Sequence, residues 1–250
     1  MDFIDLSVTI EDINISPVDH VSIEYGDHKQ GAKAIEEMSG VPAELLRDGE
    51  GWAVELITRL STHGTTHVDA PYHYNSTIQG EPAQTIDEMP LDWYFSDGVV
   101  LDMTHQIDGE VMTAEEAEKA LDRIGYELKP KDIVLVRTGC DQYYGQPDYM
   151  THGGGATAEA THWLYDQGVR VMGIDAWGWD RPLHLQAADA LEKNEPGIFW
   201  EAHQCDLAYS QIERLTNLDK LPPFGFKVAC FPLKIKGGSG APARVVAIIE

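Results

Sequence analysis

Basic residues are scarce. Eighteen Lys and Arg stand against 42 Asp and Glu, a formal net charge of −24, and the field of such a chain repels phosphate backbones and anionic lipid headgroups. The densest basic stretch, Lys227, Lys234 and Lys236 with Arg244, lies on apolar segments that read as strands and forms no phosphate cradle. Neither nucleic acid nor a membrane is expected as a partner. Cysteine is equally sparse: Cys140, Cys205 and Cys230 are odd in number and contain no C-x-x-C pair, which argues against a disulfide framework. No run approaches the roughly 18 apolar residues that cross a bilayer. The start, Met1-Asp-Phe-Ile-Asp5, has neither a basic n-region nor an apolar h-region, so a cytoplasmic address is expected. Gly153-Gly-Gly155 and Gly237-Gly-Ser-Gly240 are not followed by Gly-Lys-Ser/Thr, which leaves them as loops or turns rather than phosphate-binding loops.

What is present suffices for one large domain. The chain has 250 residues, is 43% hydrophobic and carries no Gly/Ser/Pro-rich linker, so a single domain over residues 1–250 is expected. Val99-Val-Leu-Asp102, Ile133-Val-Leu-Val136, Val169 to Ile174, Phe226 to Ile235 and Val245 to Ile249 read as strands. Thr113-Ala-Glu-Glu116 is a capping box, followed by Ala117, Ala120, Leu121 and Ile124 at helical spacing and by Gly125 as a stop. A second helix is expected from about 157 to 167. Strand, helix, strand, helix, strand predicts an α/β fold with a mixed sheet and flanking helices. Residues of about 15–50 and 140–156, rich in Gly, Pro and acids, are expected to be loops.

Histidine, by contrast, is concentrated. Three of the ten fall within Ser61-Thr-His63-Gly-Thr-Thr-His67-Val-Asp69-Ala-Pro71-Tyr-His73. Isolated histidines in β-rich segments are commonly hydrogen-bonded core or surface residues. Two imidazoles and a carboxylate at 63, 67 and 69, however, supply the N,N,O donor set that Zn²⁺ or Mn²⁺ takes at a catalytic site. On a straight strand, four residues at ~3.3 Å each would put His63 about 13 Å from His67, too far to share an ion. On a helix 63 and 67 stack, but 69 turns about 120° away, and Gly64-Thr-Thr66 forms helix poorly. A bend or single turn followed by an extended exit at Pro71 is therefore expected, with irregular backbone inside a cleft.

The motif His63-x-x-x-His67-x-Asp69-x-Pro71-x-His73 closely resembles that of the metal-dependent cyclase hydrolases, which include bacterial kynurenine formamidase and isatin hydrolase. Asp5-Leu6-Ser7 resembles the start of the family, and Gly173-Ile-Asp175-Ala-Trp177-Gly-Trp179-Asp180-Arg-Pro182 is most similar to the isatin hydrolase branch. Ile212-Glu213-Arg-Leu-Thr-Asn217-Leu-Asp-Lys-Leu-Pro222 resembles a late segment of the family. The resemblance implies that His63, His67 and Asp69 hold a divalent metal, Mn²⁺ or Zn²⁺, with Asp69 bridging where a second ion binds, and that His73 is the acid/base. His203 and Glu213, ten residues apart and slightly closer than in the formamidase pattern, would complete the site or hold a second metal. Thr65 stands where most members have Gly. A swivelling β/β/α fold and a homo-oligomer are also implied.

The chemistry expected of such a site is hydrolysis of a small amide by metal-activated water, with His73 passing the proton to the leaving nitrogen. Trp177, Trp179, Phe199 and Trp200 offer aromatic surface that could sandwich a flat bicyclic substrate, and Ser239 could approach the site. Isatin, whose cyclic amide opens to isatinate, has that shape, so the expected partner is a small aromatic amide. N-formylkynurenine, as for an arylformamidase, or a lactone are the alternatives within the family. From other classes, His67-x-Asp69 is the first half of a non-haem Fe(II) oxygenase triad, a reading that wants an all-β barrel, and a non-catalytic metal-binding protein would keep the same ligands. Cys205, two residues after His203, reads as a buried thiol.

Overall fold

Short runs of Val, Ile and Leu bounded by polar turns form the middle of a nine-stranded sheet in the computed structural model, which describes residues 1–16 and 19–249. Contacts divide the chain into two compact units, one of Met1–Thr9 with Thr62–Glu250 and one of Ile10–Ser61. In the larger unit the sheet order is Asp2–Asp5, Val246–Ile249, Phe226–Ala229, Phe95–Asp102, Ile133–Arg137, Val171–Ile174, Ser210–Glu213, His67–Asp69, Gly240–Pro242. The four strands from Phe95–Asp102 to Ser210–Glu213 are parallel, and the strands added on both sides run antiparallel. The fold is the expected α/β architecture with a curled mixed sheet.

Both faces of the central strands are covered. Val99, Leu101, Val134, Val136, Met172 and Ile174 join a core with the helices Ala114–Ile124 and Ala158–Asp166, while Val100, Ile133, Leu135 and Val171 pack into a second core on the opposite face. This is the two-residue alternation of a strand read twice, and it explains why those runs look uniformly apolar. The helix Ala114–Ile124 starts as its capping box requires: Thr113 Oγ1 accepts from Glu116 N at 3.3 Å and the Glu116 carboxylate accepts from Thr113 N at 2.9 Å. Gly125, at φ 66°, ends it in the left-handed region. Thr157 Oγ1 caps the second helix by accepting from Ala160 N at 3.1 Å.

Three expectations are corrected. The strand expected to reach Ile235 ends at Ala229, and beyond it Pro232 pairs with Ala243 instead. The expected strand from Val169 begins at Val171. Residues 15–50 are not loop throughout, although 17 and 18 lie outside the described residues. The smaller unit holds the strands Ile13–Asn14, His20–Gly26 and Val54–Arg59 and the helix His28–Ser39. Asp27 and Gln30 form a capping box on that helix. Its buried residues are only Gly31 and Ala32, so it has no apolar stripe to betray it. No helix among the described residues is long and apolar enough to cross a membrane.

Candidate active site

Residues 62–66 turn sharply, and the chain then enters the sheet as the short strand His67–Asp69. Val68 points into one core, so His67 and Asp69 point to the other face, where Ser210–Glu213 supplies Glu213 directly opposite His67 in the antiparallel register. The bend answers the reach problem posed by spacing alone, bringing His63 Nδ1 to 2.7 Å from Asp69 Oδ1. The extended exit at Pro71 is corrected. Pro71 instead opens a single helical turn, Pro71–Tyr74, as its fixed φ and missing N–H favour, and the turn stacks His73 on His63 with ring centroids 4.0 Å apart.

The donor atoms converge. His67 Nε2 lies 3.3 Å from Asp69 Oδ1 and 3.5 Å from Glu213 Oε2, and His203 Nε2 lies 3.6 Å from Glu213 Oε1. His63, Asp69 and His73, and likewise His67, Asp69 and Glu213, can each bring ligand atoms within 4.8 Å of one another. His67 Nδ1 lies 2.6 Å from the carbonyl of Thr65 and must donate to it, which in the neutral ring leaves Nε2 with a lone pair aimed at two carboxylates. Asp69 is fully buried with its Oδ1 set against the His63 ring, and neither Asp69 Oδ2 nor His67 Nε2 makes a hydrogen bond. Buried acceptors facing acceptors are costly. A cation among them would satisfy all of them at once, and imidazole with carboxylate is a donor set for Zn²⁺ or Mn²⁺.

The charges respond to burial and to one another. Burial raises the Glu213 carboxyl, and the neighbouring Asp69 charge adds to the rise. Asp69 is held well below its usual range although burial opposes this, because the imidazoles of His73, His67 and His63 favour its charged form. Burial lowers His73 to about 4, against the pull of Asp69. For His63 burial also lowers the value, but the hydrogen-bonding and charge of Asp69 outweigh it and the net direction is up.

Around these groups the expected pocket residues take different places. Ser239 Oγ lies 2.9 Å from His63 Nε2 and steadies that ring. Trp179 is not a pocket wall: its ring is fully buried in the core, with Nε1 donating to Thr161 Oγ1 at 3.0 Å, and only its backbone N–H reaches the site, at 2.9 Å from Glu213 Oε1. Trp177 is half-buried, with the Arg214 guanidinium 5.1 Å over its ring. Trp200 is the tryptophan that meets the histidines. It stacks on His203 at 4.7 Å and 7° and lies 5.3 Å from His73. Its backbone stands at φ 61°, with its N–H held by Gln186 Oε1 at 2.7 Å. Arg214, 1% exposed, was not singled out in the sequence. The signal available is a pair of opposite charges, Glu213 and Arg214, flanked by the apolar Ile212 and Leu215.

A sequence profile of the putative cyclase family matches residues 4–181. Kynurenine formamidase of Salinibacter ruber is 30% identical over 206 residues, spanning 75% of this chain and 76% of that protein. Isatin hydrolase of Roseibium aggregatum is 26% identical over 202 residues, spanning 76% and 73%. Among solved structures, isatin hydrolase A from Ralstonia solanacearum superposes with a TM-score of 0.76 at 23% identity, covering 100% of this chain and 92% of that one. Isatin hydrolase A from Labrenzia aggregata bound to benzyl benzoate gives 0.74 at 24%, covering 99% and 93%. The curled mixed sheet, the buried His/Asp/Glu donors and hydrolase relatives define a metal-dependent amidohydrolase. The chain belongs to the putative cyclase family. The mixed α/β sheet and the family match argue against the oxygenase reading, which usually takes an all-β barrel.

Proposed function

We propose that this enzyme hydrolyses a small amide attached to a flat aryl group, with isatin opening to isatinate as the first substrate to test. The observation that carries the reading is the lone pair of His67 Nε2 aimed at Asp69 and Glu213 while His73 and the Trp200 ring stand beside them. His63, His67 and Asp69 would hold a divalent ion, Mn²⁺ or Zn²⁺, and Glu213 and His203 complete the site or hold a second one. Such an ion lowers the pKa of its water from 15.7 to ~7 and polarises a carbonyl. His73, stacked on His63, would take the proton that the attacking water gives up and pass it to the departing amide nitrogen, a service worth typically ~10²–10⁴-fold. Trp200 offers its ring to the aryl group, and Trp177 a second aromatic edge. Similarity to both isatin hydrolase and kynurenine formamidase supports a substrate of this class, and N-formylkynurenine and a lactone are the alternatives.

The test follows loss of isatin absorption with chelated, Mn²⁺-reconstituted and Zn²⁺-reconstituted protein side by side. Metal-restored ring opening is the expected result. Turnover of N-formylkynurenine or a lactone in place of isatin would move the substrate and keep the class, whereas no turnover of any of them would reject the proposal.

A further inference from the structure

Asp180 stands just outside the ring of donor atoms. Its carboxylate is 6% exposed, and it accepts three bonds from one short segment: Oδ1 from Ala202 N at 3.0 Å, Oδ2 from His203 N at 3.1 Å, and Oδ2 again from His203 Nδ1. A carboxylate has no proton to give. In the neutral ring the His203 proton must therefore sit on Nδ1, and Nε2, on the opposite side, faces Glu213 with its lone pair. Trp200, stacked parallel to the same ring, limits its tilt. The neighbouring residue does the same for Glu213, since Trp179 N donates to Glu213 Oε1.

The segment that does this is itself held tightly from behind. A Cβ on Gly155 would lie 2.3 Å from both Arg181 N and the carbonyl carbon of Asp180, and one on Gly153 would lie 2.3 Å from Cys140 Sγ. Ala156 N donates to Trp179 O at 2.8 Å. Gly155 thus lets the backbone press against residues 180 and 181.

We infer that Asp180 is a positioning residue that fixes the rotation and tautomer of His203, so that only Nε2 addresses the His67–Asp69–Glu213 cluster. A carboxylate behind a ligating histidine orients the ring and raises its basicity, and its removal typically costs ~10–100-fold in metal affinity. The use made of Nε2 rests on the metal site proposed above, but the tautomer does not.

The experiment is long-range ¹H–¹⁵N correlation on metal-free protein labelled at histidine, with His203→Gln to assign the signal and the pH raised until the ring is neutral. Wild type is expected to show His203 protonated at Nδ1. Asp180→Ala is expected to shift the ring to the Nε2–H form or a mixture, and to weaken Zn²⁺ binding ~10–100-fold in a titration with unchanged circular dichroism. A wild-type ring protonated at Nε2, or an Asp180→Ala protein keeping both the Nδ1–H form and wild-type affinity, would overturn the inference. Should Asp180→Ala fail to fold, the wild-type tautomer decides alone. If wild type binds neither Zn²⁺ nor Mn²⁺, the metal reading fails while the tautomers still judge Asp180.

Discussion

At Gly240 a single added methyl group would meet His63 Cε1 at 2.8 Å and Asp69 Oδ1 at 2.9 Å. The residue sits opposite Asp69 in the register, so the strand can lie against the ligands only without a side chain. Gly240→Ala is expected to lower divalent-ion affinity ~10-fold or more by displacing His63 and Asp69, read as metal content after dialysis. Wild-type occupancy would show that the ligands have slack. His73→Ala should do the opposite, leaving metal content intact while kcat falls ~10²–10⁴-fold; full activity would remove His73 from its role. His63, His67, Asp69 and His73 were legible because they lie within eleven residues of one another. Glu213 and His203 were reached only through the family resemblance, because the sheet register that sets Glu213 beside His67 is a long-range pairing. Asp180 and Trp200 were on view in the sequence, yet what each touches is decided by residues 202–203 and 73, which no local pattern brings to them.

Among the elements, the end of the strand Val171–Ile174 has a buried acid to manage. Asp175 Oδ1 accepts from Thr138 N at 2.7 Å and Oδ2 from Gly139 N at 2.8 Å, tying the turn after Ile133–Arg137 to its parallel neighbour. Burial nonetheless pushes the Asp175 carboxyl up to about 6. A carboxyl raised on folding stabilises the native state below its unfolded pKa, and that contribution disappears as pH rises through about 6. Asp175→Asn should flatten this dependence: the stability difference between pH 4 and pH 7 in urea melts is expected to shrink by about 2 kcal/mol relative to wild type. An unchanged difference would mean that the acid is solvated. Elements with explicit start and stop chemistry, such as Ala114–Ile124, were readable. His28–Ser39 has the same chemistry, a capping box at Asp27 and a left-handed Gly40, but no apolar spacing points to it, because its tight contact is backbone to backbone: a Cβ on Gly31 would lie 1.8 Å from Trp52 O.

For the whole molecule, a buried cluster of acceptors and a net charge of −24 make a bound cation a stabilising ligand of the folded state. Saturation at 100 times Kd adds about 2.7 kcal/mol, which in a chain of this size is roughly 5–10 °C in Tm. Thermal melts with Mn²⁺ or Zn²⁺ against chelator are expected to show that rise, and coincident melts would contradict a metal site in the folded protein. In the smaller unit, Val54, Leu56 and Ile57 on the strand Val54–Arg59 are all exposed, with Trp52 before them. The homo-oligomer implied by the family resemblance would give this strip a use. Sedimentation is expected to return a mass of at least two chains and Ile57→Lys to reduce it, and a monomeric wild type would reject the expectation. The three free cysteines are all buried, with burial pushing Cys140 up to about 11 and Cys205 up to about 12. To a maleimide the folded protein is therefore close to blank. One cysteine engineered at exposed Leu191 would take a dye almost alone, without first stripping the native thiols.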